Sequence, residues 1–406
     1  MFTQKLEGFP LLPAAPQTQA YLRGLGDSLP LFLQLQSDNF LDDLDAAVRR
    51  FQAFDDILVL GTGGSSLGGQ ALLCLKDPYS PSPRLHFLDN IDPHTFERLL
   101  PTLEIQKTGI IAISKSGNTA ETLMQLLTCL PLWKTALSQA SLKNNVIIVS
   151  EPQDNAIRQL AAVYDLPCLD HPTDIGGRFA VFTVVGMLPA LIVGIDGKAV
   201  RQGAREILEG TLTQECPALL GAVAHKVLSA TGITQTVLMP YCDRLRMFTL
   251  WFRQLLAESI GKDGKGITPL QALGTVDQHS QLQLYLDGPR DKLFTIITLN
   301  HSTGKNHKIT LAPGLKHPAL DLFQGKVMGD LMMAEQNATI NTLRRHDCPT
   351  RVIHLETLNA KTLGGLMMHF ILETLALAHL WNVNPFNQPA VEEGKILAQQ
   401  YLRLSQ

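Results

Sequence analysis

The run Ile57-Leu58-Val59-Leu60 breaks off into GTGGSSLGG, and a second apolar, helix-like run follows at once. Four apolar residues in a row, with no polar alternation, suit a strand covered on both faces. A tight turn that feeds such a strand directly into a helix is the junction of an α/β unit, and this chain repeats it. Strand candidates fall at 57–60, Arg84–Leu88, Thr108–Ile113 and 145–149, with helical stretches at 66–75, 93–100 and 119–140. That alternation predicts a parallel sheet with helices on both faces.

The apolar segment 178–195 closes this half and reads as one long buried helix. It is short for a membrane span and contains Pro189. A second alternation follows: helix 217–230, strand 235–239, helix 245–260, strand Lys292–Leu299, strand 350–354 and helix 361–380. Two tandem α/β units are expected, with a boundary near 200–215. The layout is an N-terminal helical segment (1–50), a first unit (51–205), a second unit (206–380), and a polar tail with a last helix (381–406).

Of the 406 residues, 45 % are hydrophobic and 17 % charged, which is globular composition with enough length for two or three cores. The formal net charge of −3 and the lack of a dense basic cluster argue against a nucleic-acid or membrane partner. None of the six cysteines has CxxC spacing, so neither a zinc site nor a disulfide frame is suggested. The start lacks a charged segment followed by an apolar one. The expectation is a soluble cytosolic protein with reduced thiols.

The glycine turn narrowly misses two nucleotide motifs. A dinucleotide fingerprint needs glycine at its first, third and sixth positions; Gly61 and Gly63 fit, but Ser66 stands sixth. A P-loop needs lysine after its last glycine, and Gln70 follows Gly69. Asp89, ending the next strand, keeps a ribose contact open. What remains is an anion site: small residues admit a ligand to the backbone, Ser65 and Ser66 offer hydroxyls, and a helix start offers free N–H groups. A second loop, SKSGNTAET, puts Ser114, Ser116 and Thr119 around Gly117 at another strand-to-helix junction, with Lys115 adding charge. Two such loops on one sheet can clasp a single phosphate, although each can also be an ordinary helix cap.

Candidates for chemistry lie elsewhere in the chain. Gln254 and Glu258 share a helix face in WFRQLLAESIGKDGKG. Glu258 sits in the last turn, where the helix dipole is expected to raise a carboxyl pKa toward that of a general base. The competing reading pairs Glu258 with Lys262. His279 in VDQHSQLQ, Arg178 in DIGGRF and Lys395 in EEGK fit catalytic or purely structural roles equally well on their own.

Together these motifs resemble the glucose-6-phosphate isomerase family. GTGGSSLGG, SKSGNTAET, GGRF, AESIGK, DQHS and EEGK occur in that family's order and approximate spacing, as do HFLDNIDP and RLRMFTLWFRQLLAESIGK. The resemblance runs from about residue 55 to the C-terminus. SKSGxT is widespread among sugar-isomerase domains, whereas AESxGK followed by QHS is far more specific.

The resemblance implies two tandem sugar-isomerase (SIS) domains and reversible isomerisation of glucose 6-phosphate and fructose 6-phosphate through a cis-enediolate. It implies a sugar phosphate held by Gly64, Ser65, Ser114, Lys115, Ser116, Thr119, Gly177 and Gln388. Glu258 is the implied base, with Gln254 beside it and Arg178 stabilising the enediolate. His279 is implied to open the ring, assisted by Lys395 and oriented by Glu121. A homodimer is implied, with His279 reaching the partner's site. This chemistry requires no nicotinamide and no metal, and the sequence offers no convincing site for either. Asn118 and Ala180 depart from the family pattern. A non-catalytic sugar-phosphate regulator on the same fold would keep the serine loops but have no reason to hold Glu258, His279 and Lys395 together.

Overall fold

A computed structural model describes residues 1–7, 16–77, 79–213, 216–301 and 307–404. Its strands are β1 (Phe2–Glu7), β2 (Asp56–Leu60), β3 (Arg84–Leu88), β4 (Thr108–Ile113), β5 (Val146–Ser150), β6 (Cys168–Asp170), β7 (Gln235–Pro240), β8 (Thr268–Gln271), β9 (Lys292–Leu299) and β10 (Thr350–Leu355). They form two five-stranded sheets, ordered β3-β2-β4-β5-β6 and β1-β10-β9-β7-β8. The first is wholly parallel. Every residue of β2, β4, β5 and β9 is buried, as unalternating apolar runs require.

The two sheets share a topology. In each, the chain starts at an inner strand, steps outward to one edge, then crosses back to the other side. The reversal falls between β2 and β4 in the first sheet and between β7 and β9 in the second. The fifth place in the second sheet is taken by β1, antiparallel to β10. The segment 1–50, expected to be helical, therefore opens with a strand. Half-buried Phe2, Gln4 and Leu6 alternate with exposed Thr3 and Lys5, a pattern suited to a sheet edge but too short to identify in isolation. Four short helices follow between Pro16 and Phe51.

The expected helix over 178–195 is interrupted. A tight 3-10 turn (Gly177–Phe182) precedes the helix Val184–Ile192, and the Thr183 hydroxyl between them accepts from the Val185 N–H at 3.3 Å. The cap ends one element and starts the next, and it leaves Arg178 in an irregular segment.

The two units share one core. Ile57, Ile111, Trp251, Ile297, Ile353 and Phe370 belong to a single buried cluster that spans both sheets. The boundary expected near 205 falls inside the helix Gly197–Thr213. That helix packs tightly against the helix Ala360–Trp381. A Cβ on Gly203 would lie 1.8 Å from the Lys361 carbonyl oxygen, and one on Gly364 would lie 1.8 Å from that of Val200. Helix Ala360–Trp381 is long and apolar enough to cross a membrane, but 89 % of its apolar window is buried inside the protein. The helix Arg246–Ile260 lies against the helix Leu67–Leu72 of the first unit and so carries Gln254 of the second unit to the glycine turn that follows β2. All six cysteines are free.

Candidate active site

The two serine loops leave the C-terminal ends of β2 and β4, the neighbouring strands at the reversal of the first sheet, where open α/β sheets hold ligands. They are in close contact. A Cβ on Gly61 would sit 2.9 Å from the Ile113 carbonyl oxygen and 3.0 Å from Ser65 Cβ. Gly63 takes φ +57°, and a Cβ there would come within 2.8 Å of Gln254 Nε2. Gly64 has still less room: a Cβ would lie 2.2 Å from the carbonyl carbon of Gly177 and 2.6 Å from the Arg178 nitrogen. The glycines therefore let the first loop touch both GGRF and the helix of Glu258.

In the second loop the Ser114 hydroxyl donates to Thr119 Oγ1 at 2.9 Å, and Lys115 pairs with Glu151 at 3.4 Å. Thr119 stands before the helix Ala120–Ala136. Ser116 Oγ accepts from the Asn118 N–H at 3.2 Å. Asn118, a departure from the family pattern, accepts from the Ala156 N–H at 3.1 Å and ties the loop to the start of the helix Ala156–Tyr164. Ala180, the other departure, is fully buried in the core.

Arg178 organises the opposite side. It is buried, and each of its five N–H groups meets an oxygen. Nε donates to Ser259 Oγ at 3.0 Å. Nη1 donates to Glu258 Oε2 and to Gln388 Oε1, both at 3.0 Å. Nη2 donates to the carbonyls of Pro385 and Asn387. Burial lowers its pKa, opposed by Glu258. The other carboxylate oxygen of Glu258 accepts from Gln254 Nε2 at 3.0 Å. The base candidate is thus held at both oxygens, as the shared helix face of Gln254 and Glu258 anticipated. Lys262 does not pair with it; its ammonium donates to the carbonyls of Ser259 and Asn384. A cavity of about 750 Å³ opens beside Glu258, lined by Lys262, Lys265, Asn387 and Gln388, with the serine loops outside its wall.

Of the residues singled out in the sequence, Glu258, Gln254, Arg178, Gln388, Gly64 and Gly177 meet in one cluster. Ser65, Ser114, Lys115, Ser116 and Thr119 lie on the adjoining loops. Three stand apart. His279 is exposed on the short helix Val276–Ser280. Lys395 bonds to Glu392 at 2.7 Å on the helix Glu392–Leu404, which buries none of its residues. Glu121 lies in the first turn of Ala120–Ala136. Among the described residues none of these three bonds to Glu258, Arg178 or Gln254 within the chain. Sequence reasoning missed Ser259 and the carbonyls of 384–387. Their only signals were the serine after Glu258 and the prolines that frame NPFNQP. Among the described residues no three His, Cys, Asp or Glu side chains form a group able to hold a metal ion.

The family model for phosphoglucose isomerase matches residues 38–405. Glucose-6-phosphate isomerase of Rubrobacter xylanophilus is 35 % identical over 405 residues, covering 96 % of this chain and 93 % of the relative. A crystal structure of a hypothetical protein from Thermus thermophilus superposes with a TM-score of 0.89 at 31 % identity, over 99 % of this chain and 100 % of the other. The fold is also that of a glucose-6-phosphate isomerase from Chlamydia trachomatis, with a TM-score of 0.77 at 20 % identity, over 100 % of this chain and 89 % of the other. With a family match over nine-tenths of its length, on a fold that brings GTGGSSLGG, GGRF and AESIGK into contact, this chain belongs to the phosphoglucose isomerase family.

Proposed function

We propose that the protein interconverts glucose 6-phosphate and fructose 6-phosphate by ring opening and a cis-enediolate, with Glu258 carrying the proton between C2 and C1. Family membership supports the reaction. The observation that carries the mechanism is the Glu258 carboxylate held between Arg178 and Gln254, both in contact with the first of the two hydroxyl-rich loops. Those loops take the phosphate through Ser65, Ser114, Ser116 and Thr119, with Lys115 nearby, and so place C1 and C2 within reach of the base.

Arg178 has no spare N–H. To meet the enediolate oxygen, Nη1 must exchange its bond to Gln388 or to Glu258 for the developing charge. That exchange favours the charged intermediate over the neutral sugar, as catalysis requires. When Glu258 accepts the C2 proton it loses its own charge, and the guanidinium then turns to the negative oxygen. Gln254 keeps the carboxyl group in place during the transfer.

Ring opening falls to His279, with Lys395 assisting and Glu121 orienting the imidazole. His279 is supplied by a second copy in a homodimer, which agrees with its exposed side chain and with its making no bond to its own Glu258. The test is fructose 6-phosphate with this protein alone in deuterated water. Glucose 6-phosphate carrying deuterium at C2 is the expected product. Unchanged ketose would contradict the proposal.

A further inference from the structure

We infer that Lys262 is a positioning residue for this reaction: its ammonium clips the strap 384–388 to the end of the helix that carries Glu258, and that clip keeps Gln388, Arg178 and the base in register. The inference rests on the isomerase reading of the site.

Among the described residues, three cationic side chains hydrogen-bond to the strap or to its approach. Arg178 holds it through Pro385, Asn387 and Gln388. Lys265 donates to the Trp381 carbonyl at 2.9 Å, just before it. Lys262 donates both to the Asn384 carbonyl and, at 2.9 Å, to the carbonyl of Ser259, the residue after Glu258. Lys262, like Arg178, joins the strap to the last turn of the base's own helix, and of the three it alone does so through main-chain carbonyls on both sides. A cation suits that helix end, where the final carbonyls lack partners. Arg178 is already shared among Glu258, Ser259 and the strap, so any slip of 384–388 is felt by the base through Gln388 and Nη1.

The clip depends on charge, since a hydrogen bond from an ammonium is about twice as strong as one from a neutral amine. The charged groups facing Lys262 are Arg178 from the turn Gly177–Phe182, Glu258 on its helix, and Asp263 and Lys265 in the turn that follows. The strap itself contributes no charged side chain. Burial, then Arg178, lowers the Lys262 pKa, while Glu258 and Asp263 oppose; the result is about 8. The clip is therefore intact below that value and weakens as pH rises through it.

The test is kcat/KM from about pH 6 to about pH 10 for wild type, Lys262→Arg and Lys262→Met, with melting curves alongside. Wild type should lose activity above about pH 8. The arginine variant stays charged throughout, so its alkaline limb should move up by about one unit or more. The methionine variant should lose about 10-fold at neutral pH and show no limb near 8. A purely structural role would lower melting temperature and activity without moving the limb. A limb that stays near 8 in either variant overturns the inference. A wild-type protein that converts neither hexose phosphate overturns the isomerase reading and this inference with it.

Discussion

Five oxygens around one guanidinium make Arg178 the most constrained side chain in the site. A buried cation is tolerated only when it is paired and fully hydrogen-bonded, and here Glu258 supplies the charge. Gly64 is fixed by space, because the backbone of Gly177 and Arg178 occupies the room a side chain would need. Gly64→Ala should therefore shift Arg178 and lower kcat/KM by about 100-fold, since a displacement of about 1 Å at a reacting centre costs that much. Steady-state kinetics check it, and near-normal turnover would show that the contact is not needed. At this scale the sequence was legible in its motifs and silent on their partners. Glu258 and Gln254 are four apart, which makes them neighbours on one helix face. Glu258 and Arg178 are 80 residues apart, and Gln388 is 210 from Arg178, so no local pattern could have paired them.

Elements with strong periodic signals were legible almost to the residue. Strands β2, β4 and β9 are apolar runs buried on both faces, and a sequence shows this plainly. Strands β1, β6 and β8 lie at sheet edges, are short or mixed in polarity, and gave no such signal. The helix Gly197–Thr213 was also missed, yet it packs backbone to backbone on its neighbour through Gly203 and Gly364. Small residues at that crossing have a packing role that polarity patterns do not display. Gly203→Val would drive a branched side chain into the Lys361 carbonyl. It should cost about 1–3 kcal/mol or more in chemical denaturation, as overpacking does. An unchanged urea midpoint would mean that the helices can part freely.

Across the whole molecule, a buried charged network ties stability to pH. Glu373, Arg351, His225 and His369 are buried together. Arg351 bonds to Glu373 at 2.6 Å, and the two imidazoles approach the carboxylate at 3.3 and 3.4 Å. Burial would raise the Glu373 pKa, but Arg351 and the histidines outweigh it and hold it well below the usual range. Burial lowers both histidines and, elsewhere, takes His171 to about 4. A histidine whose folded pKa is depressed contributes stability above its unfolded value of about 6.5 and loses it as pH falls below that. The melting temperature should therefore drop between about pH 7 and about pH 5.5, and less steeply in a His225→Gln/His369→Gln double variant. Equal slopes would remove these groups from the account.

The proposed exchange of His279 between copies is tested by mixing two inactive variants, Glu258→Gln and His279→Ala. If the imidazole crosses, a mixed dimer contains one intact site, and activity returns on mixing. If it acts within its own chain, none returns. Whether one carboxylate carries the proton is read from Glu258→Gln in deuterated water. The amide keeps the shape and can still accept from Arg178, so the protein should fold. Turnover should fall on the order of a thousandfold, with deuterium entry at C2 lost in parallel. Near wild-type turnover with C2 still labelled would contradict a carrier role for Glu258.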